Sequence, residues 1–71
     1  MKAQVKLLYN NQEYFSNLRL VTPSELKKIQ QTIDYAVSGK IESLELENGN
    51  QHYHFPKEIV LQSIITIIIH D

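Results

Sequence analysis

Hydrophobic and polar residues alternate along the first part of the chain, and this alternation predicts two β-strands. In residues 3–9 apolar side chains occupy every second position, which places them on one face of a strand. Residues 10–12 form a polar turn, because asparagine tolerates the left-handed conformation that tight turns require. Residues 13–21 complete an antiparallel hairpin, with Tyr14, Leu18 and Leu20 on one face and Phe15, Arg19 and Val21 on the other.

At Thr22 the pattern changes to helical spacing. Thr22 supplies an N-cap hydroxyl, Pro23 suits the first helical position, and Glu25 stands at the third. Gly39 suits a left-handed C-terminal cap. Between these signals apolar residues recur every three or four positions, at Leu26, Ile29, Ile33, Ala36 and Val37. The sequence therefore predicts one amphipathic helix over residues 23–38.

Alternation returns on either side of Asn48-Gly49, a dipeptide typical of a hairpin turn with two positive φ angles. The two strands cover residues 40–47 and 51–55. In the second of them the histidines and the aromatic residues lie on opposite faces: His52 and His54 on one, Tyr53 and Phe55 on the other.

Residues 56–61 begin at a proline and predict one helical turn, and residues 63–70 form the last strand. The predicted fold is a single α+β domain over residues 1–71, of order β-β-α-β-β-turn-β. It has two layers, one helix packed on an antiparallel or mixed five-stranded sheet.

The last strand is apolar on both faces, although one helix covers only one side of a sheet. Ile65, Ile67 and Ile69 share one face. The opposite face of the sheet is the one that the helix leaves uncovered, and it carries Leu8, Phe15, Ile64, Thr66 and Ile68. One interpretation is a central strand flanked by long side chains. The favoured one is a self-complementary surface that forms a homo-oligomer, because small domains with thin cores gain burial by associating.

Composition narrows the class of protein. Leu, Ile, Val and Phe make up 23 of 71 residues, a share typical of folded chains. The net charge of −1 argues against a basic nucleic-acid binder and against an acidic DNA mimic. The absence of cysteine excludes disulfides and thiolate chemistry. No apolar run approaches the roughly 20 residues of a membrane helix, so we expect a soluble cytoplasmic protein.

Basic side chains are concentrated in the first 35 residues, where five basic residues oppose three acidic ones; the remainder has two against five. A nucleotide-like ligand needs cations for its phosphates and aromatic rings for its base. The candidate ligand-binding residues are Lys2, Lys6, Arg19, Lys27, Lys28, Tyr14 and Tyr35.

Motifs for catalysis are missing from the sequence. No serine stands in a nucleophile elbow, and no glycine-rich phosphate loop is present. We therefore expect no enzyme activity, no catalytic residues and no cofactor. A weaker alternative is a zinc site at His52 and His54, with His70 or Glu45 as a third ligand; two solvent-facing histidines are the favoured interpretation.

Three segments carry a family resemblance: Thr22-Pro23-Ser24-Glu25, residues 41–49 (IESLELENG) and residues 55–59 (FPKEI). Together with the chain's size and order of elements, they resemble small phage and prophage accessory proteins that act in host takeover or counter-defence. The resemblance implies a protein that sequesters a nucleotide signal or inhibits a host protein.

Three functions follow from the sequence. The leading one is a non-enzymatic homo-oligomeric binding protein that holds a small nucleotide-like anion at subunit interfaces. The second is an inhibitor that docks on a host enzyme or regulator through its sheet face or edge. The third, less favoured, is a weak single-stranded nucleic-acid binder.

Overall fold

β1 (Lys2–Tyr9) is the central strand of the larger sheet in the computed structural model, which describes residues 1–70. β1 pairs antiparallel with β2 (Gln12–Phe15) and β3 (Arg19–Leu20) along one edge. Along its other edge it pairs antiparallel with β6 (Ile64–His70). Asn10 and Asn11 join β1 to β2 with φ angles of 52° and 65°, the turn chemistry that the sequence predicts.

The remaining elements follow β3 in chain order. They are α1 (Pro23–Val37), β4 (Ser43–Asn48), β5 (Gln51–Pro56) and the one-turn helix α2 (Lys57–Val60). The α+β class agrees with the prediction, but the chain has six strands instead of five, because the predicted second strand is divided into β2 and β3. The single five-stranded sheet was wrong, because β4 and β5 form a separate two-stranded sheet.

A β-bulge explains why the predicted second strand is divided. β1 pairs Lys6 with Phe15 but Ala3 with Arg19, so one extra residue lies between the two registers. Residues 16–18 therefore stand opposite only two residues of β1, Gln4 and Val5. The extra residue reverses which side chains face the core beyond the bulge.

The predicted faces of this strand are therefore wrong after the bulge. Leu18 and Leu20 were expected beside Tyr14 on the core face, yet they are 48% and 76% exposed. Val21 is buried at 4% exposure instead. Arg19 lies opposite Ala3 and shares the inner face of the sheet with it.

Three hydrogen bonds connect the bulge to the tip of the β4–β5 hairpin. The Asn17 backbone N–H donates to the Glu47 carbonyl at 2.7 Å, and the Gly49 N–H donates to Asn17 Oδ1 at 3.0 Å. The Asn48 side-chain amide donates to the Phe15 carbonyl at 2.9 Å. The two sheets touch here without a continuous ladder.

α1 begins where the sequence predicts and ends at Val37, one residue before the predicted end. The Thr22 N–H donates to Glu25 Oε1 at 2.9 Å and the Glu25 N–H donates to Thr22 Oγ1 at 3.1 Å, which completes a capping box. Gly39 follows the helix with a φ of +74°. In the β4–β5 turn, however, the central residues are Gly49 and Asn50, and only Gly49 has a positive φ.

The core lies between the larger sheet, α1 and the β4–β5 hairpin. Its buried members come from five elements: Leu7, Ile33, Ala36, Leu44, Leu46, Phe55 and Val60. Val37, predicted on the apolar helix face, is 48% exposed.

The other face of the larger sheet carries the predicted interface residues. Cross-strand pairing places Leu8 beside Ile64, and Phe15 beside Lys6, which pairs with Thr66. This register puts these residues on one face of the sheet, while their role as an interface stays a prediction. Ile64 is 63% exposed, and the other four members are half-buried.

Candidate functional site

A groove of about 570 Å³ opens where the bulged strand, α1 and β4 separate. Its size is within the range of small-molecule sites. The larger sheet forms one wall, the middle of α1 another, and β4 the third. The lining residues are Ala3, Gln4, Val5, Ser16, Asn17, Arg19, Lys28, Ile29, Thr32, Ile33, Leu44, Glu45, Leu46 and Glu47.

The floor of the groove is apolar because it adjoins the core. Ala3, Leu44 and Leu46 are buried, and Val5 and Ile29 are half-buried beside them. A polar molecule that fits here loses hydration on this side, so the floor suits a hydrocarbon or aromatic surface.

Two cations lie at the mouth of the groove. The bulge turns Arg19 toward this side of the sheet, and α1 presents Lys28 one position before Ile29. Both side chains are exposed, and neither forms an ion pair within 4.0 Å among residues 1–70. Arg19 and Lys28 also line a smaller adjoining depression with Glu25.

The Glu25 carboxylate lies beside the same depression as these two cations. Hydrogen bonds from the Thr22 backbone and hydroxyl lower the pKa of Glu25, and the charges of Arg19 and Lys28 lower it further. Glu25 is held in the capping box, so its carboxylate is already committed to the helix N-terminus. Among residues 1–70 neither cation lies within 4.0 Å of a carboxylate, Glu25 included, so both remain available to an anion at the mouth of the groove.

Polar groups on the sheet wall are fixed by one another. Ser16 Oγ accepts from the Val5 N–H at 2.9 Å and donates to the Asn17 carbonyl at 3.1 Å. The Gln4 side-chain amide donates to the Ser16 carbonyl at 3.0 Å. These bonds hold the bulge, and with it the position of Arg19.

The outer edge of β4 offers backbone groups to the groove. The Glu47 carbonyl accepts from Asn17 on this edge, so Glu45, two residues earlier, directs its N–H and C=O the same way. No backbone partner for Glu45 occurs among residues 1–70.

The carboxylates of β4 are paired with histidines. Glu45 Oε1 lies 3.0 Å from His54 Nδ1, and Glu47 Oε1 lies 3.4 Å from His52 Nε2. Within residues 1–70 no three metal-ligating side chains converge, so the zinc alternative gains no third ligand. His70 is on β6, in the other sheet.

Of the seven predicted ligand-binding residues, the groove brings together only Arg19 and Lys28. Lys27 is exposed on α1 outside the groove lining, and Lys2 and Lys6 pair with β6 and β2 on the opposite face of the sheet.

The two tyrosines also lie elsewhere. Tyr14 packs edge-on against Tyr53 at 5.3 Å and Phe55 at 5.2 Å between ring centroids. Tyr35 is exposed on α1, with the Lys40 ammonium 5.6 Å from its ring centroid.

Sequence reasoning missed Gln4, Ser16, Asn17 and the open edge of β4. A polar Ser-Asn pair inside an apolar strand pattern was the available signal for a bulge, since bulges interrupt the alternation of faces.

Fold and site together define a small α+β domain with an apolar groove and a cationic mouth. Comparison with protein-family models, curated proteins and solved structures gives no match to this chain. Among the described residues, no helix has the length and apolar character to cross a membrane.

Proposed function

We propose that this protein binds a small organic anion with an apolar or aromatic body in the groove between α1, β4 and the bulged strand. The observation that carries the proposal is the position of Arg19 and Lys28 at the mouth of an apolar groove. A nucleotide-like ligand is the predicted class that has both features.

The cations supply recognition of the anion. Hydrogen bonds to charged groups contribute about 1.5–3 kcal/mol each in favourable cases. Both side chains are exposed, so solvent screening reduces this contribution. Arg19 has the additional advantage of a planar fork that matches carboxylate or phosphate oxygens.

The floor supplies affinity for the body of the ligand. Val5 and Ile29 are half-buried and border the open volume. Covering their remaining apolar surface contributes roughly 25 cal/mol per Å². The Glu45 backbone groups add one donor and one acceptor, which favours a ligand with an amide-like or nucleobase edge.

Binding, rather than catalysis, is the role that these groups support. Two hydroxyls line the groove, and both form hydrogen bonds within the chain: Ser16 with Val5 and Asn17, and Thr32 with the Lys28 carbonyl. The groove belongs to one chain, so a homo-oligomer is not needed to complete it. Sequestration of a nucleotide-like signal, as the phage-type resemblance implies, is the setting in which we place this binding.

The experiment is isothermal titration calorimetry, which measures the dissociation constants of adenine and guanine mononucleotides. Anilinonaphthalene sulfonate serves as an aromatic sulfonate probe in the same assay. Arg19→Gln and Lys28→Gln should each weaken binding about tenfold, the scale of one partly screened charged hydrogen bond. Lys27→Gln is the matched control, because it removes the same charge from α1 outside the groove. Equal affinities for all three variants would refute the proposal.

A second candidate function is favoured by the open backbone edge at Glu45. An extended peptide of a host protein that pairs with this edge would add a strand to the β4–β5 sheet. Hydrogen exchange separates the two candidates, because a peptide protects the Glu45 amide on binding whether or not Arg19 is present. No comparable feature favours the single-stranded nucleic-acid alternative.

A further inference from the structure

Within residues 1–70, β6 is an edge strand whose outer backbone groups have no hydrogen-bond partner. The odd-numbered residues of β1 direct their N–H and C=O groups toward β2. The Val5 carbonyl shows this, because it accepts from the Ser16 N–H, and Leu7 has the same orientation two residues later. Even-numbered residues of β1 therefore bond to β6, and their partners on β6 are also even-numbered. Ile65, Ile67 and Ile69 are left with outward N–H and C=O groups.

This edge has none of the features that usually prevent strands from pairing. Edge strands are normally protected by lysine, proline, a bulge or a covering element. Residues 64–69 contain only isoleucine and threonine, without charge, and β1 is the only strand paired with β6 within residues 1–70. Two isoleucines of β6 are exposed, Ile64 at 63% and Ile69 at 48%.

We propose that the outer edge of β6 pairs antiparallel with β6 of a second copy of this chain, about a two-fold axis at Ile67. Ile67 is the midpoint of the strand Ile64–His70. In this register Ile65 lies opposite the second copy's Ile69, and Ile67 lies opposite its own counterpart. All three outward residues then pair, and with one N–H and one C=O each in two copies they form six hydrogen bonds.

The side chains support the same register. Every pair between positions 65 and 69 joins two β-branched residues, the cross-strand combination that packs well on a sheet. No charged side chain faces another across the junction. The second copy is favoured over a foreign strand because a two-fold axis at Ile67 satisfies every outward group with this one sequence.

The dimer leaves the groove open. β6 lies on the opposite side of β1 from β3, and the groove is lined by the β3 side, α1 and β4. Each copy would therefore carry its own groove at the far side of a continuous sheet. This inference is independent of what the groove binds.

The test is native mass spectrometry and light scattering of the full chain at tens of micromolar. The expected wild-type species has twice the 8.3 kDa mass of the chain. Ile69→Lys places a charge on the edge and should raise the dimer dissociation constant about tenfold or more. Ile69→Pro removes the outward N–H of residue 69 in each copy, so the dimer loses two of its six intermolecular hydrogen bonds. The bonds between β6 and β1 are kept, because they use the even-numbered residues.

Leu20→Lys is the matched control, because Leu20 is exposed on β3, away from β6. It should leave the dimer intact. Far-ultraviolet circular dichroism must show that each variant is folded. A wild-type monomer would overturn the proposal, and so would a dimer that persists in both folded Ile69 variants or that Leu20→Lys disrupts.

Discussion

Reversal of the strand faces at the bulge can be tested by comparing two neighbouring apolar residues. Without the bulge, Leu20 would face the core and Val21 would face outward. The structure has the opposite arrangement, with Leu20 at 76% and Val21 at 4% exposure. The two arrangements therefore predict different losses in the free energy of unfolding for Val21→Ala and Leu20→Ala.

The magnitudes follow from burial. Val21→Ala removes the equivalent of two buried methylenes at about 0.8 kcal/mol each, and the cavity left behind brings the loss to about 2 kcal/mol. Leu20→Ala removes a solvated side chain and should change the free energy of unfolding by less than about 0.5 kcal/mol. The total stability expected for a chain of this size is about 4–11 kcal/mol, so both variants remain folded.

Urea denaturation followed by circular dichroism is the assay. With a slope near 1 kcal/mol per molar urea, the midpoint of Val21→Ala should fall by about 2 M and that of Leu20→Ala by less than about 0.5 M. The opposite order would refute the bulge. It would also remove the basis for placing Arg19 at the groove, because the same register turns both residues.

Three further substitutions test separate parts of the structure. Asn17→Ala removes the acceptor for the Gly49 N–H and should cost about 1 kcal/mol, with faster hydrogen exchange of the Gly49 amide as its signature. The capping-box hydrogen bonds lower the pKa of Glu25 from 4.5 in the folded state. The ionised carboxylate therefore stabilises the fold above pH 4.5, and this stabilisation is lost as the pH falls through the lowered pKa. Glu25→Gln should therefore lose less stability than wild type between about pH 5 and pH 3, measured by thermal unfolding; an identical loss would contradict the capping-box role. Ile68→Glu tests the predicted interface on the sheet face, since unchanged assembly mass in a folded variant would exclude that face.

Local signals in the sequence were sufficient to predict the helix and the Asn10–Asn11 turn. They also located the β4–β5 turn, but its central residues are Gly49 and Asn50 instead of Asn48 and Gly49. The capping box at Thr22 and Glu25 and the left-handed residue Gly39 act within a few positions of one another, so no tertiary information is needed. Alternation was equally sufficient for the pairing faces of β6 and of β5, where no bulge intervenes.

The separation into two sheets could not be predicted in the same way. It depends on Asn17, whose N–H and side-chain oxygen bind the tip of a hairpin about thirty residues later in the chain. Periodicity describes only the residues of one strand, and it favoured Leu18 and Leu20 inside because they are apolar. Tertiary hydrogen bonds at Asn17 overrode that preference.

The candidate site depended on the same feature. The sequence offered five cations without a means of ranking them, and the bulge brings Arg19 to the face on which α1 presents Lys28. A regular strand would have directed Arg19 to the opposite face, beside Lys2. Hydrogen bonds from Asn17 to the β4–β5 hairpin thus fix both walls of the groove and the position of one of its cations. Weakening them should reduce anion binding even when both cations are retained.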